Sequence, residues 1–176
     1  MNKIKYFWNY LFYFAWRLHC KIGFILIERP LMYLLESILK FMPMSKHNAA
    51  TRYRSRREVL DDMETGFNIR FVFKYFLTLT WAIVVSVFSY IIVYLGITIN
   101  NPHSLTVHFI VTILISHLIN IKLLGWYNNG YITYFKDFKK RTNNTLGYFS
   151  IILFYFLTFS FCLFTLYFHT EFDFLR

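Results

Sequence analysis

The chain has 176 residues, of which 57% are hydrophobic and 23% aromatic, and its 19 basic and 9 acidic side chains give a formal charge of +10. Only 16% of its residues are charged, against about a quarter in a soluble domain, so the composition argues against an ordinary soluble enzyme and for lipid. Two distant cysteines in apolar surroundings, Cys20 and Cys162, exclude a disulfide framework and a zinc motif.

The first segment, residues 1–44, opens MNKIKYFWNYLFYFAWRLHCK. A basic start before apolar residues resembles a signal peptide. The small-residue cleavage pattern is absent and the aromatic density is too high, so the segment is expected to be retained. Arg17, His19 and Lys21 interrupt it, and central basic residues are costly in a lipid-facing helix. At helical spacing Lys3, Tyr10, Arg17, Lys21 and Glu28 share one face, with Phe7, Leu11, Phe14, Leu18 and Ile25 along its apolar flank. This pattern predicts an amphipathic helix lying in the membrane interface, with re-entrant insertion as the alternative. Pro30 suits a helix start, and Leu31, Leu34, Leu35, Ile38 and Leu39 form a second apolar stripe. A bend is expected near Glu28–Pro30.

Residues 45–70 form a polar linker, expected to be cytoplasmic. Arg52, Arg54, Arg56 and Arg57 precede an acidic block of Glu58, Asp61, Asp62 and Glu64. Arg57 and Asp61 are four apart and suit a short helix from about Arg54 to Met63, with Gly66 as its stop. The arginines suit anionic headgroups. No aromatic ladder or RNA-binding pattern accompanies them, so no nucleic-acid partner is expected. The acids do not have calcium-loop spacing, and neither a metal nor any other cofactor is expected.

The three-span region, residues 71–170, starts from an interval in which no Asp, Glu, Lys or Arg occurs between Lys74 and Lys122. A bilayer core takes about 20 apolar residues per helix, so the interval holds two spans, at about 71–97 and 105–126, with a turn around Asn100, Asn101 and Pro102. Lys74 can snorkel to the headgroups at the start of the first span. The second contains His108, Thr112, Ser116 and Asn120, each four apart, and His117. In a helix these residues make a slowly drifting polar stripe, which is expected to face protein or water rather than lipid. Lys122, Trp126 and Tyr127 suit an interfacial exit, and Asn128, Asn129 and Gly130 a turn. A short surface helix is expected next, where Tyr131, Ile132, Tyr134, Phe135 and Phe138 interleave with Lys136, Lys139, Lys140 and Arg141, and the N-terminal segments are expected to pack beneath it. A third uncharged span occupies about 146–169, followed by a short tail, 171–176.

The fold expected is therefore an all-α integral membrane protein with three transmembrane helices and N-terminal amphipathic interfacial helices. The loops before the first span and after the second are basic, and the loop between them is neutral. By the positive-inside rule the N-terminus is cytoplasmic and the C-terminus outside, in what is read on general grounds as a bacterial inner membrane. Arg17, Lys21, Arg52, Arg54, Arg56, Arg57, Lys139, Lys140 and Arg141 are the candidates for contact with headgroups or a partner. Phosphate-loop, dinucleotide, HExxH and GxSxG signatures are absent. The function expected is that of a non-enzymatic membrane subunit that assembles with copies of itself or another membrane protein. An oligomeric pore or membrane-disrupting effector, an immunity protein and a small transporter component are the alternatives.

Overall fold

The computed structural model describes residues 2–28, 30, 33–34, 61–63, 66–96, 102–140 and 144–174. Helices and turns account for the secondary structure among them, with no strand. We number the helices α1 (Lys3–Gly23), α2 (Phe67–Tyr94), α3 (Pro102–Leu124), α4 (Gly130–Lys139) and α5 (Thr145–Phe174). Three of them, α2, α3 and α5, are long and apolar enough to cross a membrane.

The three long helices hold no interior proline and no charge through residues 75–94, 102–121 and 145–169, and their ends follow local chemistry. Pro102 is the first residue of α3, where its missing N–H is not needed. Gly125 ends α3 at φ +64, and its N–H reaches back to the Ile121 carbonyl at 2.9 Å. The chain then makes a 3-10 turn, Trp126–Asn128, and re-enters a helix at Gly130. A Cβ on Gly125 would stand 3.3 Å from the Gly130 Cα, so backbone passes backbone closely at this corner. Gly66 precedes α2 as its N-cap while its own N–H bonds the Asp62 carbonyl at 3.2 Å. The first span thus starts one turn before the expected Phe71. At the far end α5 continues to Phe174, into the residues expected to be a short tail, because no Gly or Pro stops it.

Among the long helices, α2 is central and packs against both α3 and α5. Ser86 is buried where α2 meets α5, with its hydroxyl 3.8 Å from the Cys162 sulfur. In the most apolar windows of the three helices only 17%, 22% and 17% of residues are buried, so most of their apolar surface points outward.

The core lies at one end of the bundle, where α1 packs against α2, α3, α4 and α5. Six consecutive residues of α1, Leu11–Trp16, are buried. A helix buried through consecutive residues is enclosed on every side, so the division into a polar and an apolar face expected for this segment does not describe its middle. Aromatic side chains on all faces of α1 make the enclosure. The Phe12 ring meets Phe73 and Phe76 of α2, Trp126 of the turn, and Tyr131 and Phe135 of α4, at centroid distances of 5.5–6.5 Å. Phe14 lies against Gly147 of α5, which has no side chain to hold it off. The short helix α4 covers α1 from the other side through Tyr131, Ile132, Phe135 and Phe138, all buried. After Gly23 the helix widens into a π-helical turn, Phe24–Glu28. It lies just before Pro30, whose ring crowds the carbonyl four residues back and removes an N–H. The second N-terminal stripe and the linker helix at 54–63 lie, apart from isolated residues, outside the described residues.

Candidate functional site

The polar stripe of α3 is built from within its own helix. Side chains four apart on a helix drift by about 40° per step, so the four positions stay on one side for its length. Each short polar side chain reaches the carbonyl one turn back. Thr112 Oγ1 donates to His108 O at 2.9 Å, Ser116 Oγ to Thr112 O, and Asn120 Nδ2 to Ser116 O at 2.9 Å. Thr112, Ser116 and Asn120 are 0% exposed.

Two acceptors of the stripe are met from other helices. Trp81 of α2 donates its indole N–H to Thr112 Oγ1 at 3.1 Å. Trp8 of α1 donates its indole N–H to Asn120 Oδ1 at 3.2 Å. Thr80 Oγ1 lies 3.5 Å from the same oxygen, while its shorter bond, 2.8 Å, goes to Phe76 O. Asn120 therefore joins α1, α2 and α3 at one buried point. Such bonds suit an apolar medium, where an unmet N–H is costly.

The two histidines behave differently from these three residues. His108 is half-buried, with its ring 6.4 Å from Phe88. His117 turns off the stripe and lines an open groove between α2 and α3 with Arg70, Phe73, Lys74, Leu77, Trp126, Asn129 and Tyr131. One residue along a helix is a rotation of about 100°, so His117 cannot share a face with Ser116.

The expected headgroup contacts are also dispersed. Arg17 turns back along α1, with a guanidinium nitrogen 3.5 Å from the Tyr13 hydroxyl and its centre 5.8 Å from that ring. Burial pushes the Tyr13 phenol up from its ordinary pKa, and the Arg17 charge opposes the shift. Lys21 Nζ stands 5.5 Å from the Tyr148 ring. Lys139 and Lys140 are exposed at the end of α4. Arg52, Arg54, Arg56, Arg57 and Arg141 lie outside the described residues. His19 stacks on Phe71 at 4.8 Å, and burial pulls its pKa down against the opposing pull of Asp61.

Sequence reasoning passed over Asn9, which is 0% exposed. Its Nδ2 donates to Lys5 O and to Leu123 O, both at 2.8 Å. Leu123 belongs to the last turn of α3, whose carbonyls have no intrahelical donor. Asn9 thus supplies one from α1, while its Oδ1 is buried with no partner among the described residues. The signal available was a single amide inside the aromatic run FWNYLFYF. Trp8 gave none, because its role depends on where Asn120 comes to lie.

No group of three or more metal-ligating side chains forms among the described residues. The geometry defines a class, an all-helical bundle with three helices able to cross a membrane and an aromatic fourth enclosed at one end. Comparison with protein-family models, with curated proteins and with solved structures gives no match.

Proposed function

We propose that the chain is a non-enzymatic subunit of a bacterial inner membrane, acting by assembly with copies of itself or with another membrane protein. The observation that carries the reading is the location of the hydrogen bonds of the stripe. Thr112, Ser116 and Asn120 are met within the chain by Trp81, Trp8 and their own helix. They then line no water path through the single chain. The outward surface left for association is apolar. Val107, Ile110, Leu114 and Leu118 of α3 and Phe149, Phe156, Leu163 and Phe164 of α5 are all exposed. The loop charges support an N-terminus in the cytoplasm and a C-terminus outside. In that orientation α1 and α4 lie at the cytoplasmic headgroup level, where tyrosine and tryptophan are favoured.

Purification in a native detergent, followed by mass measurement and by recording across a planar bilayer, tests the proposal. A defined oligomer or a stoichiometric complex without conductance is the expected result. A lone monomer without conductance would sink assembly. Stepwise conductance would favour the pore instead. A topology reporter that placed residues 43–70 outside would overturn the orientation alone.

A further inference from the structure

The open groove beside the stripe has the makings of a lipid site. It has a volume of about 540 Å³ and runs between the start of α2 and the end of α3. Arg70 and Lys74 stand on its α2 side, one helical turn apart and both exposed. Two cations spaced i, i+4 share a helix face. His117 and Asn129 add hydrogen-bonding groups from the other side. Among the described residues no carboxylate lines the groove.

The floor is aromatic and fixed. Trp126 is sandwiched between Phe73, 3.9 Å away and nearly parallel, and Tyr131, 5.0 Å away and nearly parallel. The Tyr131 hydroxyl donates to Met63 O at 3.0 Å, which anchors the stack. Leu77 extends the wall one turn further along α2, into the uncharged stretch that begins at Tyr75. Along the groove the two cations and the aromatic floor at their level come first, and the apolar wall follows. A phospholipid has the matching order: phosphate, glycerol ester region, acyl chain. Arginine suits a phosphate through paired N–H donors, and basic pockets between membrane helices at the headgroup level take anionic lipids. A soluble phosphate would leave the apolar wall unused.

We propose that this groove binds one anionic phospholipid, with its phosphate on Arg70 and Lys74 and an acyl chain along Leu77. The inference rests on the membrane placement proposed above but not on the orientation or on assembly. Mass measurement and lipid retention are read separately, so either can fail alone.

The test is native mass spectrometry of the full chain, delipidated and offered phosphatidylglycerol or phosphatidylcholine with the same acyl chains. Phosphatidylglycerol should be retained preferentially as a single adduct. Each basic side chain near a lipid surface contributes about fivefold, so R70Q should lower retention about fivefold and R70Q/K74Q about thirtyfold. K3Q/K136Q, which removes two exposed charges from α1 and α4, should leave retention unchanged. An equal loss in K3Q/K136Q would mean diffuse attraction and would overturn the site, as would equal retention of the two lipids. Competition by glycerophosphoglycerol as strong as by the intact lipid would reassign the groove to a soluble phosphate. Should R70Q/K74Q fail to fold, a photoreactive phosphatidylglycerol on the unmodified protein decides the matter. Label within residues 70–77 and 117–131 supports the proposal, and label confined to other segments overturns it.

Discussion

Asn120 and Trp8 form a hydrogen bond between side chains that ties α1 to the polar stripe, and a double-mutant cycle across it measures how α1 is held. In Asn120→Ala the half-buried Trp8 indole N–H loses its acceptor, the amide oxygen of a residue that is 0% exposed. An orphaned buried donor costs about 1–3 kcal/mol, and the vacated amide volume adds to this. The single variant should lose about 2 kcal/mol, roughly a thirtyfold change in the folded-to-unfolded ratio. Trp8→Phe removes the donor and part of the ring that packs 5.2 Å from Phe76 and 6.0 Å from Phe154. It leaves Asn120 Oδ1 with the distant Thr80 hydroxyl alone. In the double variant neither partner is orphaned, so the losses should fall short of additive. Interhelical hydrogen bonds in membranes give coupling energies of about 0.6 kcal/mol, with an upper end of about 1.7. Given the burial of Asn120, the upper half of that range is expected. Reversible unfolding of the four proteins in mixed micelles, followed by helical circular dichroism, gives the cycle directly. Additivity within about 0.3 kcal/mol would refute the claim that this bond fastens α1 to the bundle.

Other perturbations address other joints. Gly147→Val should cost about 1–3 kcal/mol by overpacking, because the Phe14 ring occupies the space of any Cβ there; hydrogen exchange should speed up in α1 before it does so in the far half of α2. Tyr131→Phe keeps the aromatic stack but loses the bond to Met63 O, and should lower stability by about 1 kcal/mol in the same unfolding assay. For His19, burial lowers the folded pKa below its ordinary 6.5, so the undocked state binds the proton more readily. The contribution of His19 to stability is then complete above pH 6.5 and is lost as pH falls towards the lowered value. Acidification from pH 7.5 to 5.5 should destabilise the unmodified chain more than His19→Gln, and equal losses would show that this histidine stays solvated.

The three long apolar helices were legible in the sequence because the signal is local. Length without charge between Lys74 and Lys122, and again from Leu146 to His169, is a property of consecutive residues. The corner at Asn128–Gly130 was legible for the same reason, since turn residues state their own backbone needs. The periodicity of Thr112, Ser116 and Asn120 put them on one face without a view of the fold. It could not say that the partners on that face would be the indoles of Trp81 and Trp8.

The enclosure of α1 was decided by tertiary structure alone. Arg17 and Lys21 look like part of a polar face when the segment is taken by itself, and the aromatic residues around Leu11–Trp16 give no single apolar side. In the folded chain Arg17 lies back on Tyr13 and Lys21 lies over Tyr148, so long basic side chains remain beside a buried core. The groove of Arg70, Lys74, His117 and Trp126 is likewise invisible in sequence, because it joins positions up to 56 apart along the chain. The helical elements follow from spacing and composition, which neighbouring residues carry. The joints between them depend on which side chains arrive from distant segments, and only the folded chain brings those together.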